Sequence, residues 1–188
     1  MTITRTTALL VTAALLTALA ACGHSSSSKP AVNAHGGSMR MVDGQVVISG
    51  TDGTEARISP QGRLTIRDAD VSVTEGQRAQ LVSYYNAASG VYEHAASTGM
   101  AGAQVGVTAA TSVASGLAKG DMSDVKAKIE AQAGEVKRQA LKICDNLAEV
   151  RAAQDALSGQ IPAFKPYAVV SERETADCAR DLKNMPGR

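Results

Sequence analysis

Three cysteines, three histidines and a few grouped aspartates are the residues of this chain whose types could do chemistry. A nucleophilic thiol needs a base to take its proton, and the histidine nearest in sequence to Cys144 or Cys178 is the distant His94. Zinc would require two ligands beyond those two cysteines. His24 and His35 lie in a Ser- and Gly-rich stretch that brings no further ligand toward them. His94 directly follows Glu93, and adjacent helix positions do not face each other, so no oriented base results. Asp52, Asp68 and Asp70 suggest calcium, but the alternating ligand run closed by Glu is missing, and turn chemistry accounts for each. With no nucleophile–base pair, paired-acid signature, phosphate loop or metal spacing, the expectation is a protein that is not an enzyme and carries no cofactor and no metal. Carboxylates gathered only by folding would be the remaining route to a catalytic site.

The third cysteine has a different context. Arg5 gives the N-terminus a positive charge, and Ala8 to Ala18 is an uncharged run of Ala, Leu, Val and Thr. Such a run has the length of a signal-peptide core and falls short of the roughly 20 residues that span a bilayer. It ends in Leu19-Ala20-Ala21-Cys22, which resembles the lipobox of bacterial lipoproteins. That resemblance implies cleavage before Cys22, diacylglycerol on its sulfur and acylation, commonly with palmitate, of the new amine. Each buried CH₂ contributes about 0.8 kcal/mol, so several chains anchor durably where one holds marginally. Gly23, in place of a retention aspartate, points to the outer membrane. An ordinary cleavage site at Ala18-Leu19-Ala20, releasing a soluble periplasmic protein, is the alternative.

These signals divide the chain into a signal peptide (1–21), a lipidated flexible tether (22–38) and a single α+β domain (39–188). The tether, GHSSSSKPAVNAHGGS after Cys22, has no periodicity; as a coil of ~16 residues it would span about 20–24 Å. The chain has 19 basic and 18 acidic residues, and loss of Arg5 with the signal leaves the remainder neutral. Neutrality, one Phe, four Tyr and no Trp exclude a nucleic-acid footprint and argue against stacking platforms for bases or sugars.

Within the domain, residues 39–94 read as a meander plus a helix, and 95–188 as the helical part. Apolar residues alternate at Val46 and Ile48, Ala56 and Ile58, Leu64 and Ile66, and Val71 and Val73, separated by turn formers. Four short antiparallel strands with one apolar face follow, and a sheet so small needs a cover. Thr74-Glu75-Gly76-Gln77 is a capping box, and the helix it opens, to about His94, repeats Leu81, Tyr84 or Tyr85, Ala88, Val91 and Tyr92 along one face.

The segments Gly44–Ile48, Ala56–Ile58, Gly62–Ile66, Val71–Thr74, Gln77-Arg78 and Leu81 to Tyr85, with a second patch at Ile161–Phe164 and Pro166-Tyr167, are similar to the YggN-like proteobacterial periplasmic family, a domain of unknown function. The likeness covers residues 40 to 170. It implies an envelope location and no particular activity.

Ala95 to Ala118 carries no charge. Its Gly102, Gly106, Ala110 and Ala114 repeat every four residues, a ridge that permits close helix approach. We expect this ridge to pack against a neighbouring helix of the same chain; the alternative is a segment that inserts into a membrane or forms oligomers. After Lys119-Gly120-Asp121, Ser123 caps a helix to about Leu157. Ile129, Val136, Ile143, Val150 and Leu157 form a heptad seam, with Ala133, Ala140, Leu147 and Gln154 between them. This seam serves an intramolecular hairpin or, alternatively, an intermolecular coiled coil.

Gly159, Pro162 and Pro166 stop that helix, and Ser171-Glu172-Arg173-Glu174 is a second capping box opening a helix to about Asn184. The chain therefore reverses. From Cys144 to Leu157 it descends about 20 Å; four extended residues return about 13 Å and six helical ones about 9 Å, which brings Cys178 back to Cys144. In an oxidising envelope the two form a disulfide, contributing about 3–4 kcal/mol for a ~35-residue loop. The expected fold is a small antiparallel β-meander covered by a helix, then a helical hairpin and a C-terminal helix. The expected role is that of a cell-envelope lipoprotein, held to the membrane by its N-terminal lipid and meeting an envelope protein partner, or else a membrane-active or oligomer-forming protein working through 95–118.

Overall fold

A computed structural model of the chain describes residues 31–34, 36–119 and 123–184. Its architecture is α+β, an antiparallel sheet followed by three helices. The strands are β1 (Ala31–Ala34), β2 (Gly37–Val42), β3 (Gln45–Ser49), β4 (Glu55–Ile58), β5 (Leu64–Ile66) and β6 (Ala69–Asp70), and they neighbour one another in chain order. The helices are α1 (Glu75–Lys119), α2 (Ser123–Gln160) and α3 (Glu172–Asn184), with a 3₁₀ turn at Pro162–Tyr167 between the last two.

Local chemistry sets the meander. Asp43 and Gly44 both take positive φ (50° and 72°) in the two-residue turn between β2 and β3, a geometry matched to the twist of a hairpin. Arg67 and Asp68 do the same (50° and 61°) between β5 and β6. The inner face carries Met39, Val46, Ile48, Ala56, Ile58 and Leu64, all with no exposed surface. On the outer face Arg40 and Arg57 both reach Glu55, and Arg40 also donates to Ser49 Oγ at 3.0 Å.

The first turns of α1 cover the inner face. Thr74 and Gln77 cap it reciprocally: Gln77 N–H donates to Thr74 Oγ1 at 3.3 Å, and Thr74 N–H to Gln77 Oε1 at 2.9 Å. Leu81, Tyr84, Ala88 and Val91 enter the core, where Tyr84 meets the edge of Phe164 with centroids 5.8 Å apart. Tyr85 and Tyr92 donate their hydroxyls to the Gly44 and Met39 carbonyls and so pin the helix to the β2–β3 hairpin. The 3₁₀ turn closes one end: Thr51 N–H donates to the Pro166 carbonyl at 3.0 Å, and the Tyr167 hydroxyl pairs with that of Thr54.

Four expectations change. The sheet starts at Ala31 rather than at the Val46/Ile48 strand: β1 and β2 precede it unforeseen, with Gly36 (φ 80°) turning β1 back onto β2 in a segment whose composition reads in part as tether. Val71 and Val73 are not a strand: β6 is Ala69–Asp70, and the two valines pack half-buried against the core from the loop before α1. The helix expected to end near His94 continues without a break through Lys119, so Ala95–Ala118 is its second half. The heptad seam holds at the sheet end, where Val150, Gln154 and Leu157 are buried, but fades toward the tip. There Ile129 and Val136 are half-buried and Ala133 is exposed.

Candidate functional site

Beyond Tyr92 the sheet no longer covers α1, and α1 and α2 continue as a two-helix arm. The remaining residues of α1, at 1.5 Å each, make that arm about 40 Å long. Its inner seam joins Ala101, Val105, Thr108, Ala109, Ser112 and buried Gly116 to Val125, Ile129, Gln132 and Val136 of α2. Gln132 Nε2 donates to Thr108 Oγ1 at 3.3 Å across it. Nearer the sheet the helices are in close contact where Gly90 faces Asn146: a Cβ on Gly90 would lie 2.8 Å from Asn146 Oδ1.

The small-residue ridge is not in that seam. Gly102, Gly106, Ala110 and Ala114 are all exposed, and a Cβ on Gly102 or Gly106 would meet nothing within 4 Å. The expectation that these residues pack against a helix of the same chain is therefore corrected. Val105, one of the few large apolar side chains of this half, is half-buried in the seam, and the ridge lies about one residue's rotation away from α2. Beside the ridge stand Met100 (70% exposed), Val107 (66%) and Leu117 (72%). Hydroxyls there are turned inward on their own helix: Ser97 donates to the Glu93 carbonyl at 2.9 Å, Thr111 to Val107 at 3.0 Å and Ser115 to Thr111 at 3.0 Å. The result is an uncharged wall of small and apolar side chains, with Gln104 exposed at its edge. The α2 wall is charged, with ion pairs Lys126–Glu130 and Arg138–Glu135; the Glu135 carboxyl is held below its ordinary range by hydrogen bonds from Gln139 and Arg138.

Two clefts open between α1 and α2. One of about 280 Å³ near the tip includes Thr111, Ser115, Asp124 and Lys128. The other, about 530 Å³ near the sheet, includes Gln80, Asn86 and Glu149, and Asn146 donates to that carboxylate at 3.1 Å. Asp52 accepts from the Thr54 amide (3.0 Å) and hydroxyl (2.7 Å), which hold its carboxyl below the usual range, so its oxygens serve their own turn. Asp68 lies 4.0 Å from Arg57. His94 is half-buried on α1 beside exposed Glu93. Among the described residues no group of three potential metal ligands occurs, and no helix is long and apolar enough to cross a membrane.

The two remaining site cysteines meet. Cys144 Sγ and Cys178 Sγ are bonded at 2.04 Å with Cα atoms 5.7 Å apart, joining α2 to α3. Cys22, His24 and the signal segment lie outside the described residues. Sequence reasoning missed the working role of Gln154, counted only as seam filler. Its Nε2 donates to the Val170 carbonyl (2.8 Å) and its Oε1 accepts from Val170 N–H (2.9 Å), both buried. A polar residue at an apolar seam position was the available signal.

Comparison with protein-family models, with curated proteins and with solved structures finds no match.

Proposed function

We propose that this chain is a non-enzymatic lipoprotein of the bacterial cell envelope, moored through Cys22 and presenting its domain as an interaction module on the periplasmic side, at the outer membrane. The observation that carries the reading is the Cys144–Cys178 disulfide, a bond that persists in oxidising compartments and is rare in reducing ones. It agrees with the export signal and with the cysteine at the end of Leu19-Ala20-Ala21-Cys22. Metabolic labelling with radioactive palmitate tests the anchor: label enters the wild-type chain, and Cys22→Ala abolishes it and moves the protein to the soluble fraction. A Cys22→Ala protein that still sediments with membranes would sink the anchor.

A second reading has its own support. The solvent-facing ridge of Gly102, Gly106, Ala110 and Ala114, flanked by exposed Met100, Val107 and Leu117, suits contact between copies of this chain. Residues 95–118 include no Lys or Arg to draw them to an anionic lipid surface. Between copies, an uncharged wall meets its equal without like-charge repulsion. Self-association along the arm is thus the form of the module's interaction that we favour over membrane insertion.

A further inference from the structure

We propose that the Cys144–Cys178 bond is a reducible clasp: a dithiol that reaches Cys178 frees α3, while the sheet, α1 and the body of α2 stay folded.

The case begins with burial. Not one of the 13 residues of α3 is buried. Its inward stripe is Thr175, Cys178, Ala179 and Leu182, all half-buried, and Leu182 is its one large apolar side chain. Several polar contacts run along the helix itself: Arg180 pairs with Asp177 and Asp181, Thr175 donates to the Glu172 carbonyl, and Ser171 and Glu174 cap each other. Across to α2, Lys137 Nζ donates to the Lys183 carbonyl at 3.1 Å from an exposed position. An isolated helix of this length is marginal in water. The chain just before it is in a different condition. Val169 and Val170 are 1% and 2% exposed, and Gln154 holds both backbone groups of Val170. The boundary between core and appendage therefore falls at Ser171, and past it, among the described residues, the buried anchor is Cys144, which is 3% exposed.

The asymmetry of the two sulfurs sets the chemistry. Cys178 is half-buried and Cys144 is buried, so the accessible end is on α3. A thiolate of the dithiol attacks Cys178 Sγ, the Sγ–Sγ bond breaks, and the Cys144 thiolate leaves and takes up a proton. The reductant's second thiolate then displaces Cys178, which is protonated in turn. Two protein thiols and one cyclic disulfide of the reductant result, with two electrons passed to the protein.

Hydrogen exchange on the whole mature protein, with and without dithiothreitol, tests the clasp. Once two further thiols per chain have appeared, amides of 174–184 should exchange at least about tenfold faster, while those of 81–91 and 150–157 keep their rates. Cys178→Ser should give the same pattern with no reductant present. Unchanged protection of α3 after full reduction would overturn the proposal, as would loss of protection spreading to 81–91. A Cys178→Ser protein whose α3 stays protected would overturn it too, since the opening would then belong to the reagent and not to the bond.

Discussion

Gln154 is buried among apolar neighbours because the backbone of Val170 has no other partner there. Gln154→Leu keeps the apolar seam but strands one buried N–H and one buried C=O. At about 1–3 kcal/mol for each group left unpaired, the expected loss is about 2–6 kcal/mol. Urea unfolding should show a lower midpoint at unchanged slope. Gly62 has a steric role instead: φ is 70° and a Cβ would lie 2.6 Å from the Arg78 carbonyl. Tyr84 makes a pH prediction. Burial, with a smaller effect from Tyr92, raises its phenol well above the ordinary value of 10.0. Above that pH the unfolded chain gives up the proton and the folded chain keeps it, so the folded state binds more protons and stability falls as pH rises. The slope approaches about 1.4 kcal/mol per pH unit from this group alone. Tyr84→Phe should flatten the alkaline limb of a denaturation midpoint plotted against pH. Its hydroxyl reaches only Met39 Sδ, at 3.5 Å, so little else is lost.

Among the elements, those fixed by local chemistry were legible in the letters. Thr74 with Gln77, and Ser171 with Glu174, form the cap bonds their spacing implies. Thr74→Ala should therefore cost about 1 kcal/mol, read as a shift in thermal midpoint. The pairs Val46/Ile48, Ala56/Ile58 and Leu64/Ile66 were readable as inner-face residues, because period-two alternation reports which face is apolar. It does not report how far a pairing runs: Val71 still donates its N–H to the Leu64 carbonyl at 2.9 Å, and beyond it Val73 keeps its apolar contacts outside any strand. β1 was hidden for a related reason: its pairing follows from a reversal at Gly36, within residues whose composition matches a coil. The meeting of Cys144 and Cys178 was readable from the chain reversal at Gly159 to Pro166. The direction of the Gly102–Ala114 ridge was not. A helix segment without charges has no wet side to orient it, so the letters do not say which face turns inward; Val105 is half-buried in the seam while Met100, Val107 and Leu117 stay exposed.

At the scale of the molecule, that orientation separates two meanings of glycine. A glycine that permits close approach within the chain would clash if given a methyl group, as Gly90 would against Asn146. Gly102 and Gly106 have open space instead, so within a monomer they only weaken α1. The double variant Gly102→Ala, Gly106→Ala should stabilise the isolated protein by about 1.6–2 kcal/mol, from roughly 0.8–1.0 kcal/mol per site, measured at low concentration by urea unfolding. If the ridge is where two copies cross, the same two methyl groups hold the helices apart and weaken association. Sedimentation at increasing concentration should then show the wild type gaining mass while the variant stays monomeric. Val107→Lys should also stop the gain, by placing like charges opposite each other, without the rise in stability. The wall has few large side chains, so association of the free protein should be weak; anchoring copies to one membrane would raise their effective concentration. A variant that is more stable and associates as well as the wild type would show that the ridge is not the contact. One that is less stable would mean that Gly102 and Gly106 pack against something within the same chain, contrary to their open surroundings.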